Sequence, residues 1–310
     1  MTVLPAGVVP LTTKSLLASA LTNSGAQPDL QEIINNTHRE LSVLRGASLA
    51  PIINIDTYCV RQVSSRLLPR IRDLTGYNGT HTPLIYAASD CIDAARADAN
   101  AQFGTVPEWF YDLDGPKSHD KYGNLWRGLW ESVYTLKEQD VKYGGGSCHI
   151  KFTRNGHRGS LIWIAEKQEH PERILQIVGH ELSLDLLCAA GWFDPEENRM
   201  HPLLEGHARL VEDLLSTEAK SHLPGYRKCF LQTQLELLIG GYLLILPGGE
   251  SVPDSIAEIT QHHGWNLDAI FNNAARFPNH IGTTAMVLAM NKYGPDILKK
   301  FLAGDLSWLP

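Results

Sequence analysis

The run Val178-Gly179-His180-Glu181-Leu182-Ser183-Leu184-Asp185-Leu186-Leu187 sets a histidine and a glutamate side by side in an otherwise apolar stretch. On a helix, residues i and i+4 share a face, so an imidazole at 180 and a second ligand at 184 could grip one metal ion. A glutamate directly after the first ligand would reach the same cleft and could take a proton from a metal-bound water. Position 184, however, holds Leu184. Asp185 stands one residue past that slot and off the ideal face.

A second polar group follows in Leu203-Leu204-Glu205-Gly206-His207-Ala208-Arg209, which reads as the opening of the next helix. His207 comes two positions after Glu205, roughly 200° around a helix, and should point away from any group that Glu205 faces. His201 falls in the turn-rich link before that helix and could swing towards a site.

These elements resemble the glutamate-zincin (gluzincin) superfamily of thermolysin-like enzymes and zinc aminopeptidases. The sharp matches are V-G-H-E-L-S at 178–183 and E-G-H-A at 205–208, each at a suitable place in the order of elements. The resemblance implies His180 as a metal ligand, Glu181 as general base and Glu205 as the ligand from the following helix. It implies Zn2+ as the cofactor and a peptide or small amide as the substrate. The preceding run at 160–166 would be an edge strand that aligns substrate. A tyrosine or histidine from the C-terminal subdomain would stabilise the oxyanion; His262, His263, His280 and Tyr242 are the candidates.

Leu184 departs from the pattern at the remaining ligand. A catalytic zinc needs three protein ligands and an open position, and His180 with Glu205 supplies two. Three explanations stay open. Leu184 is an inactivating change in a working metalloenzyme, or the chain keeps the fold for binding alone, or His201, His207 or Asp185 completes the site. Without a metal, Glu181 and Glu205 could face each other over an apolar pocket and share a proton.

The positioning elements follow from local pattern. A helical apolar period runs over 29–45, and 56–74 is a second helix that Pro69 should kink or break. A short strand at 82–88 precedes a helix at 89–101, a Pro/Gly/Asp-rich loop at 105–124 and a helix at 125–139. Two β-rich runs, 149–153 and 160–166, flank Asn155-Gly156 and predict a hairpin. Pro171 and Glu172 then open a helix that Gly191 ends. Helices follow at 203–222, 226–246, 255–262, 267–277 and 282–302. Residues 1–26 read as an irregular arm. The expected fold class is α+β: a zincin-like subdomain over 1–190, with a small mixed sheet and the active-site helix, then an all-helical subdomain over 191–310.

Several groups have plainer readings. The glycines of Tyr143-Gly144-Gly145-Gly146-Ser147 lack the Gly-Lys-Ser/Thr ending of a phosphate loop and read as a connection. Cys148 and His149 are neighbours on a strand and point to opposite faces. Trp109, Phe110, Tyr111, Trp126 and Trp130 suit packing beneath a loop, or else the wall of an apolar cleft. Asp112, Asp114, His119 and Asp120 match no calcium-loop spacing.

Composition narrows the classes. The 310 residues are 43% hydrophobic and 20% charged, as in a globular chain. A net charge of −7 lacks the electrostatic footprint of a nucleic-acid binder. The stretch 231–246 is apolar, but it carries Gln232, Gln234 and Glu236 and is interrupted by Gly240-Gly241, so a buried helix or helix pair is expected rather than a membrane span. Five widely spaced cysteines suggest a reducing compartment. With no signal peptide legible at the start, the expectation is a cytoplasmic protein.

Overall fold

The computed structural model describes residues 13–87, 148–154, 157–164, 168–192, 201–246, 250–277 and 279–308. Contacts divide the chain into two units. The described residues are mostly helical, with a few short strands. The expected helices at 89–101 and 125–139, the loop at 105–124, the aromatic cluster, the acidic group around His119 and the glycine connection lie outside the described residues.

The sheet-bearing unit comprises 48–196 and 218–226. Its first helix, α3 (Thr57–Thr75), is capped by Asp56, whose carboxylate accepts from the Cys59 N–H at 2.7 Å. Pro69 lies inside α3 and does not end it; Gly76, at φ +73°, does, with the Tyr77 N–H returning to the Arg72 carbonyl. Strand β1 (Ile53–Asn54) pairs with β5 (Gln168–Glu169). The hairpin forms as expected between β3 (Cys148–Arg154) and β4 (His157–Ile164), in register from Cys148↔Trp163 to Arg154↔His157. Strand β2 (Ile85–Ala87) lies parallel to β4 on its other side. Over Ile162–Ile164, β4 is therefore paired on both edges, so this part of the supposed substrate-aligning strand is interior. Its ladder groups there are spent on β2 and β3.

Helix α4 (Pro171–Ala189) packs against α3, β3 and β4. Its N-terminus is tied to the chain ahead of β1. Glu172 accepts from the Ala50 N–H at 2.8 Å, and His170 Nδ1 bonds the Ala50 carbonyl at 2.7 Å.

The helical unit comprises the chain up to Ala47, 197–217 and 227–310. The first 47 residues thus group with the C-terminal helices, where a boundary at 190 would have put them with the hairpin. Long-range bonds explain this. Thr22 and Gln27 both donate to the Ile245 carbonyl, Gln31 bonds Ser255, and Glu40 pairs with Arg227 at 2.9 Å.

The expected irregular arm is in part a helix, α1 (Thr13–Asn23). Leu17 and Leu21 are buried one turn apart, and α1 packs on the later helix α9 (Asn279–Tyr293). Tertiary packing supplies what the weak periodicity does not. Helix α2 (Gln27–Val43) follows, then α5 (His201–Ala219) and α6 (Pro224–Ile245). His201 opens α5 instead of lying in a link. The chain continues through α7 (Asp254–His263), α8 (Leu267–Arg276), α9 and α10 (Ile297–Leu302). The single helix expected over 282–302 is split by Gly294, at φ +74°. No helix among the described residues is long and apolar enough to cross a membrane.

Glycines bring the backbones of this unit together. A Cβ on Gly282 of α9 would strike the Pro202 carbonyl of α5, and one on Gly206 would strike the Gly282 carbonyl. On α6, a Cβ at Gly240 would come within 2.6 Å of His280. Helix α6 therefore runs unbroken through Gly240-Gly241, because that pair admits α9.

Gly282→Ala should lower the unfolding free energy by about 1–3 kcal/mol, since the obstacle is backbone and overpacking outweighs the gain in helix propensity. Gly46→Ala, with open space around it, should be close to neutral. Chemical denaturation of both variants checks this.

Candidate functional site

In the sheet-bearing unit the motif residues are consecutive on α4. His180 is 9% exposed, Glu181 7% and Leu184 6%. Every residue from 178 to 188 is buried, so this is not an amphipathic surface helix with polar groups turned to water. Ser183 is sealed by donating to the Gly179 carbonyl at 2.7 Å. A leucine in the ligand slot is at home here, because its surroundings exclude solvent.

One pair escaped the sequence reading. Asp185 is fully buried, and its Oδ2 lies 2.7 Å from Nε2 of His81, which is 19% exposed. The backbone around His81 is held as well, since the Arg72 guanidinium donates to the His81 carbonyl. Burial, ahead of other causes, pushes the Tyr77 phenol up, and the Asp185 charge adds to this. Asp185 stands 140° around the helix from His180, where Leu184 stands 40° from it. The pair therefore belongs to a different face of α4 from the expected metal slot. Chemically, a buried carboxylate fixes the imidazole and selects its tautomer, as in acid–base and metal-ligand pairs. The sequence signal was a lone His more than a hundred residues upstream, with no local spacing to mark it.

In the helical unit, E-G-H-A has packing reasons of its own. Gly206 admits α9, Ala208 is fully buried, and His207 is enclosed in the core against Phe301, with ring centroids 5.2 Å apart. Neither His207 ring nitrogen has a hydrogen-bond partner. Burial pushes its pKa down to about 3, and the nearby Leu298 backbone offsets little of that. His207 is a neutral core residue. Glu205 lies on α5 at intermediate burial.

The oxyanion candidates fall in two places. His280 on α9 is 6% exposed, with Nδ1 3.2 Å from the Phe277 carbonyl, and it faces Gly240 of α6, the helix that carries Tyr242. Burial, with a smaller contribution from Glu250, pushes the Tyr242 phenol up. His262 and His263 close α7 and meet His38 of α2.

Among the described residues, no group of three or more His, Cys, Asp or Glu side chains is arranged to hold a metal ion. With an alkyl chain at 184 and His207 locked in the core, the residues described do not fit a three-ligand zinc centre. Cys59, Cys188 and Cys229 are not in disulfides. No family model matches the chain, and neither a curated protein nor a solved structure matches it.

Two outcomes follow. His207 has a folded-state pKa below its unfolded value, so its neutral form contributes fully above about pH 6.5 and the contribution is lost as pH falls towards 3. The wild type should lose about 2 kcal/mol from this group between pH 7 and pH 4.5, and His207→Leu should lose correspondingly less; urea unfolding at both pH values reads the difference. His81→Ala should cost about 1–3 kcal/mol by removing one partner of the buried Asp185 carboxylate, and Asp185→Asn, which keeps an acceptor, should cost less. Thermal unfolding of the two variants checks the order.

Proposed function

We propose that the chain is a gluzincin-type zinc hydrolase scaffold for peptide or related amide bonds, with a metal centre silenced by Leu184. One observation carries the reading. His180 and Glu181 are buried together on α4, directly after the hairpin, with Leu184 one turn further along the same helix.

Keeping a histidine and a carboxylate inside an apolar helix costs desolvation that their partners must offset, where two aliphatic residues would need no partners. Their retention beside an alkyl chain suits a site one imidazole short of completion. Glu205 enters this reading through the sequence resemblance alone, and Zn2+ through the same route. Because the described residues do not fit zinc, no catalytic step is assigned to it. A zincin-like arrangement of the sheet-bearing unit is part of the same proposal.

As it stands, the protein should purify with well under one zinc per chain and show little peptidase activity. Leu184→His should raise zinc affinity by more than ~100-fold, since loss of a mere supporting partner already costs ~10–100-fold. It should also bring chelator-sensitive cleavage of peptide substrates. Elemental analysis and peptide hydrolysis, with circular dichroism to confirm folding, test this. A folded Leu184→His variant that gains neither zinc nor activity overturns the reading.

A further inference from the structure

Three histidines meet in the helical unit, and two of them, His262 and His263, are among the oxyanion candidates of the proposed hydrolase. His38 on α2 stands 5.4 Å from His262 and 5.4 Å from His263, ring centre to ring centre, and the latter two are 5.2 Å apart. All three contacts are edge-on. Trp265 stacks on His263 at 4.5 Å. Nε2 of His38 and of His263 are buried with no hydrogen-bond partner.

His38 and His262 of the cluster line a groove of about 500 Å³ between α2 and α7. Asn35, His38, Arg39 and Ser42 line it from one side, and Ser255, Glu258 and His262 line it from the other. The first set follows the i, i+3, i+4, i+7 spacing of a single helix face, and the second, with Ile259, does the same.

We propose that His38, His262 and His263 form a proton-operated latch, which holds α7 on α2 while the imidazoles are neutral and releases it when they are protonated. Neutral rings pack edge to face as aromatics do. A proton on each of the half-buried His38 and His263 would set two imidazolium charges about 5 Å apart, less screened than at the exposed His262.

The surrounding charges do not rescue the protonated form. Arg39 and Arg45 add positive charge from α2 and its extension. From α6, Arg227 is engaged with Glu40, and Lys228 bonds the Arg45 and Ala47 carbonyls. The α9 helix, which also packs on α2, brings His280, bonded to the Phe277 carbonyl, and the cation Lys292. On α7 itself, Asp254 lies at the opposite end of the helix from the cluster, and Glu258 is the carboxylate lining the groove. Among the described residues that line the groove, Glu258 is the one carboxylate, against His38, His262 and the Arg39 guanidinium.

The electrostatics run the same way. Burial, then His262, lowers the His38 pKa; burial, then His38, His262 and Arg45, lowers that of His263. Folded-state values below the unfolded value mean that the latch is fully closed above about pH 6.5 and weakens as pH falls through and below that point.

Apart from the cluster, the described residues fasten α7 through the Gln31–Ser255 bond at 2.9 Å and through the buried Ile256 and Ile259, which protonation leaves in place. A helix of ten residues does not persist once undocked, so release is read as loss of its amide hydrogen bonds.

Hydrogen exchange of the full chain at pH 7.5 and pH 5.5, corrected for intrinsic rates, tests this. The expected result is several-fold more frequent opening of α7 amides at the lower pH. Amides of α9 serve as the internal reference, because the His207 effect acts on the unit as a whole. His38→Gln should remove most of the α7-specific change. Should that variant fold poorly, imidazole proton shifts of the wild type followed by NMR give the second reading, with the His38 and His263 titrations expected below the ordinary histidine value. Equal α7 protection at both pH values, an unchanged pH effect in a folded His38→Gln, or independent His38 and His263 titrations at the ordinary histidine value would each overturn the latch.

Discussion

The helix Pro171–Ala189 is buried on every side from residue 178 to 188, and the sheet-bearing unit is arranged around that fact. A helix sealed on all faces cannot leave polar side chains to water, so each must find a partner inside the protein. Asp185 draws in His81, and Ser183 turns back to its own helix; His180 and Glu181 are likewise engaged rather than isolated. At the N-terminus, Glu172 and His170 clamp both polar groups of Ala50 and so bring the chain before β1 to its place beside β5. The hairpin then packs on the helix, with Ile162 and Ile164 buried, while the parallel strand β2, with Ile85 buried, packs on α3.

The helical unit is governed by a different constraint, the approach of backbones at glycines. Gly206, Gly240, Gly241 and Gly282 admit neighbouring helices so closely that a methyl group would collide at each. This gives E-G-H-A a reading independent of catalysis: its glycine admits a helix, its alanine is enclosed, and its histidine is a neutral ring against Phe301. A short motif can thus look chemical while three of its four residues serve packing. Glu205 is the member that packing does not explain.

Histidines show how far environment decides chemistry in this chain. His207, His81 and His38 differ in what surrounds them, not in residue type. Enclosure without a partner keeps His207 neutral far into acid. A buried carboxylate orients His81. His38 is placed among its own kind. Only the first of these environments was hinted at by helix geometry, which turned His207 away from Glu205.

The sequence by itself determined the local elements. Alternation around Asn155-Gly156 specifies the β3–β4 pairing, Pro171 and Gly191 bound the motif helix, and the apolar period over 29–45 specifies α2, because those signals act between residues close in the chain. It also set His180, Glu181 and Leu184 on one stretch of helix, since a four-residue spacing needs no tertiary information. Tertiary structure decided the rest. It made β4 an interior strand, drew the first 47 residues into the C-terminal unit, carried α6 through two glycines and turned part of a supposed arm into α1. It also joined His81 to Asp185 and His38 to His262 and His263, pairs separated by 104 residues in the first case and by more than two hundred in the second. Such partners are chosen by desolvation and close packing between distant segments, and those energies have no period along the chain.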